Sequence, residues 1–213
     1  MVTLHDVTWP VTPAMTVYRR NPRPRLRALS WIPRDSANLS ALAIGLHTGT
    51  HVDAPRHFLR RGGDITTVDP ARLAGPCVVV DCTSVADRIE AADLRRARIP
   101  HGAIVLLKTR NSERPAEAPF DPSFVFLARS GAERLRRLRA RAVGTDYLGI
   151  ERDQPGHPTH KTLLGAGIPI VEGLRLRGVR PGRYVFLALP LPLAGAEASP
   201  VRAVLVRGIR WPG

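Results

Sequence analysis

Residues 47–57 read HTGTHVDAPRH, which puts three histidines and one aspartate within eleven positions. In an extended strand, residues two apart share a face, so His47, Gly49, His51 and Asp53 would line one side. Two imidazoles and a carboxylate on one face suit Zn²⁺ or Mn²⁺. Gly49, with no side chain, would leave room between them. Pro55 stops the strand, and His57 follows closely enough to bend back toward the same place. His47 and His51 are also four apart, as on zinc-binding helices. Thr-Gly-Thr is poor helix material, however, and the Glu that follows the first His of the metalloprotease motif is missing. The bland alternative is a polar strand end that happens to be rich in histidine. The stretch holds too few donors for two ions, so distant partners are needed. GHPTHKTLL offers His157 and His160, and IPIVEGL offers Glu172, a carboxylate inside an apolar strand. Such a carboxylate is costly unless it is paired, by a metal or by one of the many arginines.

The elements that must position these groups are mostly strands. LSALAIGLHTGTHVD (39–53) reads as a strand running into a polar end, and CVVVDC and AIVLLKT (103–109) as short buried strands. IPIVEGL, RYVFLALPL and VRAVLVRG read as closing strands. Residues 90–99 and 159–167 suggest short helices. The clearest helix follows Ser130, with Glu133 three residues on in a capping-box pattern, Leu135 and Leu138 as its apolar stripe and Gly144 as its stop. The order is not the regular βαβ alternation of a doubly wound fold, so a mixed α/β layout with a barrel-like or layered sheet is expected.

Composition sets limits. The 213 residues suit one domain, and a 44% hydrophobic content suffices for a core. The net charge of +14 raises the question of nucleic acid, but the basic residues are dispersed and all but Lys108 and Lys161 are arginine. The densest run, 133–142, reads as the wet face of a helix. Cys77 and Cys82 flank a strand and are expected to be free and buried. No signal peptide and no bilayer-length apolar run is visible, so a cytoplasmic protein is expected.

HTGTHVDAPRHF (47–58), VLLKTRN (105–111), GTDYLGIE (144–151), HPTHKTLL (157–164), IPIVEGLRL (168–176) and residues 182–205 together resemble the cyclase-like metal-dependent hydrolase family that includes bacterial kynurenine formamidase. The resemblance implies one domain over 1–213 with the family's swivelling β/β/α fold, a barrel-like mixed sheet flanked by helices. It implies two divalent ions, Zn or Mn, on His47, His51, Asp53, His160 and Glu172, with Asp53 and Glu172 bridging. It makes His57 the catalytic histidine and leaves His157 as a loop residue. It also implies a homodimer or homotetramer in which residues 1–38 help to shape the pocket.

The implied reaction is cleavage of an amide or formamide C–N bond by a metal-activated hydroxide. No G-x-S-x-G nucleophile elbow is present, which argues against a serine route. Where kynurenine formamidases tend to carry Trp followed by Pro-Gly-Asp, this chain has Tyr18 and then RRNP. Where they carry Asp-Ser-Val-Asp-Pro, it has DYLGIERDQPGH. Tyr18 either stacks on an aryl substrate or packs on its own loop. Two other readings stay open: hydrolysis of a cyclic amide, imide or lactone at the same site, as in isatin hydrolases, and a basic nucleic-acid-binding protein. The expected partner is a small-molecule substrate, not nucleic acid or membrane.

Overall fold

A computed structural model describes residues 1–211. Its strands are β1 (Thr3–Asp6), β2 (Arg25–Ser30), β3 (Leu39–Ala43), β4 (His51–Asp53), β5 (Ala74–Asp81), β6 (Arg88–Ile89), β7 (Ile104–Lys108), β8 (Phe126–Leu127), β9 (Ala142–Thr145), β10 (Ile170–Glu172), β11 (Gly182–Ala188), β12 (Ala198–Pro200) and β13 (Ala203–Arg207). Two α-helices, α1 (Arg129–Arg137) and α2 (Pro158–Leu164), complete the frame.

Nine strands form one curled half-barrel in the order β1-β13-β11-β5-β7-β9-β10-β4-β12. Its centre, β5-β7-β9-β10, is parallel, and the flanks are antiparallel. The parallel strands are buried on both faces, which explains why they read as continuous apolar runs. Along β7, Ile104 and Leu106 join one core with Val79, Val171 and Phe186. Val105 and Leu107 join the other, under Leu135 of α1 and Leu163 of α2. A third cluster, with Trp9, Met15, Phe124 and Tyr147, seats the N-terminal segment. The barrel-like mixed sheet with flanking helices is therefore present.

Several local expectations are corrected. Residues 39–53 are not one strand: β3 ends at Ala43, residues 44–50 turn, and β4 begins only at His51. The break lies at Thr-Gly-Thr, where Gly49 has φ +64°, a left-handed conformation that suits glycine. A side chain at Gly49 would meet Met15 Cε at 3.2 Å, so its bareness serves packing on the N-terminal segment rather than room for an ion. The capping box is also absent. The residue capping α1 is Ala128, Ser130 donates to Glu90, and Glu133 pairs with Arg129. Gly144 lies inside β9, where a Cβ would stand 2.6 Å from Leu106 Cδ2 and 2.7 Å from Leu174 Cδ1. Close packing, not helix termination, accounts for this glycine. Residues 90–99 hold only a 3-10 turn at 93–95. Both cysteines are free and buried, and burial pushes each thiol up to about 12. Among the described residues, no helix is long and apolar enough to cross a membrane.

Candidate metal centre

Strand register builds the floor of the site. On β4 the side chains of His51 and Asp53 share a face by period-two alternation. β4 pairs antiparallel with β10 so that Glu172 stands directly opposite His51. Directly opposed residues have their Cβ atoms about 4.5–5.5 Å apart, which brings the carboxylate to the imidazole. His47 enters from the turn before β4. His160 comes from the first turns of α2, whose Leu163 and Leu164 anchor it in the second core. His57 ends the 3-10 turn Pro55–His57 that follows β4.

The groups converge closely. Asp53 Oδ1 lies 3.0 Å from His47 Nδ1 and 3.4 Å from His51 Nε2. Glu172 Oε2 lies 3.4 Å from His51 Nε2, and its Oε1 lies 3.4 Å from His160 Nε2. His160 Nε2 is 3.8 Å from Asp53 Oδ2. The two carboxylates therefore face histidines on both sides. His51 Nδ1–H donates to the Gly49 carbonyl at 3.0 Å, which leaves its Nε2 aimed at the carboxylates. The His57 ring lies over that of His47, 4.0 Å between centroids. The structure thus brings His47, His51, Asp53, His57, His160 and Glu172 together.

These residues fit a divalent cation. The His51 Nε2 and His47 Nε2 nitrogens and both Asp53 oxygens are buried and make no hydrogen bond. The ion-pair separations above, like the 3.3 Å from His47 Nε2 to Glu197 Oε1, bring opposite charges close without aligned donor geometry. Unsatisfied buried polar atoms cost about 1–3 kcal/mol each, so four in one place call for a partner. Two ligands about 2.0–2.1 Å from a tetrahedral ion lie roughly 3.3 Å apart, the scale of these gaps.

Electrostatics points the same way. Burial pulls the His51 pKa down, but the close carboxylates of Asp53 and Glu172 outweigh it and raise it to about 10. His160, opposed in the same way by burial, is raised to about 9 by Glu151, Glu172 and Asp53. Burial and the Asp53 charge push Glu172 up, yet the histidines hold it at about 2. Asp53 is held well below the usual carboxylate range by His47, His51 and His57 despite its burial. Without a cation the carboxylates hold protons on the imidazoles instead, and metal would have to displace those protons. His57 differs: burial lowers its pKa, favouring the neutral base.

A pH prediction follows for the chelated protein. Histidines raised from 6.5 contribute stability that is complete below about pH 6.5 and lost as pH rises through about 9 to 10. The depressed carboxylates contribute stability that is present above their ordinary values, 3.8 for Asp53 and 4.5 for Glu172, and lost as pH falls further. Calorimetry in a chelator should show Tm falling from neutral to alkaline pH, with less fall when Zn²⁺ is present. An equal slope in both samples would contradict a cation-demanding site.

Beside the cluster opens a cavity of about 230 Å³, lined by Tyr18, Asn21, Phe58, Leu148, Gly149 and Asp153 together with the donors. Tyr18 packs edge-on against Phe120 at 4.8 Å while also facing the cavity. A Cβ on Gly149 would stand 3.3 Å from Tyr18 Cε2, so this glycine lets the ring lie against the wall. At the mouth, Arg19 Nη1 donates to Asp153 Oδ2 at 2.8 Å. Arg19, Asp153 and His157 all have φ between +41° and +58°, and the only other non-glycine with positive φ among the described residues is Arg139. Two of these, Asp153 and His157, line the cavity.

Two residues gain parts that residue types alone did not reveal. Glu151, buried, takes His160 Nδ1–H at 2.7 Å. His157 lies in the loop, as expected, at the N-cap position of α2 and with no side-chain cap, and its Nδ1 stands 3.3 Å from the same carboxylate. The available signal was an acid in the apolar stretch YLGIE, six and nine residues before two histidines.

Fold and donor set define a metal-dependent hydrolase. The family model described as "Putative cyclase" matches residues 5–152, and the chain belongs to that family. It is 32% identical to a kynurenine formamidase of Sphingopyxis alaskensis, over 96% of this chain and 98% of that one. A solved structure titled a potential metal-dependent hydrolase with cyclase activity superposes with TM-score 0.88 and 42% identity, over 100% of both chains. Isatin hydrolase A from Labrenzia aggregata superposes with TM-score 0.85 over 96% of this chain and 93% of that one. At 24% identity it shows a shared fold. With such relatives the chain is an enzyme, a metal-dependent amide hydrolase.

Proposed function

We propose that the protein is a binuclear amidohydrolase of the kynurenine-formamidase type, cleaving an aryl formamide. The observation that carries this is the set of buried, unsatisfied donors flanked on both sides by Asp53 and Glu172. His47 and His51 would hold one ion and His160 a second, with Asp53 and Glu172 shared between them and Zn²⁺ or Mn²⁺ suiting such N/O donors. When bound, the ions would supply Lewis acidity for an amide carbonyl and acidify water beside it.

The chain's own groups do the rest. Tyr18, Phe58 and Leu148 offer an aromatic and apolar wall that orients an aryl ring and excludes water. Burial keeps the His57 imidazole neutral, so one ring nitrogen can take a proton from attacking water and pass it to the departing amide nitrogen.

The mouth favours an open-chain substrate over a cyclic amide. A lone carboxylate drawn to Arg19 would face Asp153, and a lone ammonium drawn to Asp153 would face Arg19. A tail carrying both charges replaces one ion pair with two, and N-formylkynurenine has such a tail. The alternative, isatin-like ring opening, uses the same centre but leaves the mouth pair idle.

The β2–β3 hairpin supports a homodimer or homotetramer. It forms its own two-stranded sheet and exposes Leu26, Trp31, Ile32, Leu39 and Leu42. An isolated two-stranded sheet is marginal in water, so a second copy is the proposed cover.

The test is a side-by-side assay of N-formylkynurenine, formanilide and isatin with metal-loaded enzyme, each in wild type and Arg19→Ala. Preferred N-formylkynurenine turnover that falls to the formanilide level in Arg19→Ala supports the reading. Preferred isatin turnover supports the alternative, and no metal-dependent turnover of any of the three sinks both.

A further inference from the structure

We propose that Glu151 is the positioning residue of the second ion site: it fixes the ring orientation and tautomer of His160 and is not itself a ligand. The inference rests on the binuclear reading above, and three contacts carry it. Glu151 Oε1 accepts from His160 Nδ1 at 2.7 Å and lies 3.3 Å from His157 Nδ1. Oε2 accepts from the Thr159 backbone N–H at 2.9 Å. Glu151 is 2% exposed, and its Oε2 is held at the start of α2 by the Thr159 backbone.

A proton on Nδ1 facing a carboxylate leaves the Nε2 lone pair free for a cation. That Nε2 is the atom that faces Glu172 Oε1 and Asp53 Oδ2. The other ring in the centre obeys the same logic with a different acceptor, because His51 Nδ1–H donates to the Gly49 carbonyl. His51 is therefore locked by its own turn. His160 projects from a two-turn helix; Phe58 stacks on its ring at 4.1 Å, and among the described residues Glu151 is the acceptor for its Nδ1.

The carboxylate is chemically required for this role. Glu151 receives a ring N–H on one oxygen and a backbone N–H on the other. Glutamine has one acceptor oxygen, so either amide orientation sets its NH₂ against one of those donors. Glu151→Gln thus keeps shape but loses one of two anchors. His157→Ala removes the outer partner and leaves both anchors in place.

The experiment titrates Zn²⁺ against a chromophoric chelator into chelated wild type, Glu151→Gln, Glu151→Asp and His157→Ala, with circular dichroism to confirm folding. Wild type and His157→Ala should bind two ions alike. Glu151→Gln should bind one ion as wild type does and the other about 10–100-fold less tightly, still filling at high Zn²⁺. Glu151→Asp, which keeps two acceptors, should recover part of that loss and carries the comparison if the Gln variant does not fold. Wild-type affinity for both ions in Glu151→Gln overturns the proposal. So does a second site that no Zn²⁺ concentration fills, since Glu151 would then be a ligand. A wild-type stoichiometry of one would instead overturn the binuclear reading.

Discussion

Asp53→Ala is expected to yield folded protein that retains neither metal nor amidohydrolase activity. Asp53 is fully buried, and its two oxygens face His47 and His51 on one side and His160 on the other. Removing it takes an anionic donor from both proposed ion sites at once. His51 and His160, whose pKa values it helps to raise, then keep Glu172 as the one carboxylate they share. Elemental analysis after exhaustive dialysis should find less than about a tenth of the wild-type metal, given the affinity that even an outer-shell partner carries. Turnover should fall below detection. His51→Ala should behave in the same way, because its Nε2 lies 3.4 Å from both carboxylates. Metal retained at full stoichiometry in both variants would remove the site assignment.

His57→Ala is expected to separate metal from chemistry. The His57 ring stacks on His47 and borders the cavity, but the two carboxylates have three other imidazoles as closer partners. Metal content should therefore stay at the wild-type level while kcat falls about 10²–10⁴-fold, the range for loss of a general acid–base group. In wild type, the burial that depresses the His57 pKa should keep activity up below the ordinary histidine value of 6.5, with loss only at more acid pH. Unchanged turnover in His57→Ala would show that another group moves the proton. Loss of metal along with turnover would make His57 a ligand instead, as its grouping with His47 and Asp53 permits.

The sequence by itself determined the parts whose physics is local. Period-two alternation put His51 and Asp53 on one face, and β4 obeys it. The apolar runs CVVVDC and AIVLLKT (103–109) became strands Ala74–Asp81 and Ile104–Lys108 at the parallel centre, which is covered on both faces. Residue type also marked Glu172 as a carboxylate in need of a partner and offered His157 and His160 alike; the resemblance chose His160, and it lies with Glu172 in the cluster.

Tertiary structure decided the rest. His47 is not on the strand that the alternation assigned to it; it reaches Asp53 because the chain turns at Gly49 beneath the N-terminal segment. Glu172 meets His51 through the β10–β4 register, across 121 positions of sequence, which no local period encodes. Ser130 and Glu133 matched a capping box but found Glu90 and Arg129 instead, since tertiary and side-chain partners outcompete a cap worth about 1 kcal/mol. Glu151 carried only a weak signal in the chain, an acid at the end of the apolar stretch YLGIE. Its role exists only because α2 folds back and sets a ring nitrogen 2.7 Å from a buried carboxylate. Residue chemistry and short-range periodicity are written along the chain, whereas the meeting of residues 47–57 with His160 and Glu172 depends on strand register and helix packing that only the folded sheet fixes.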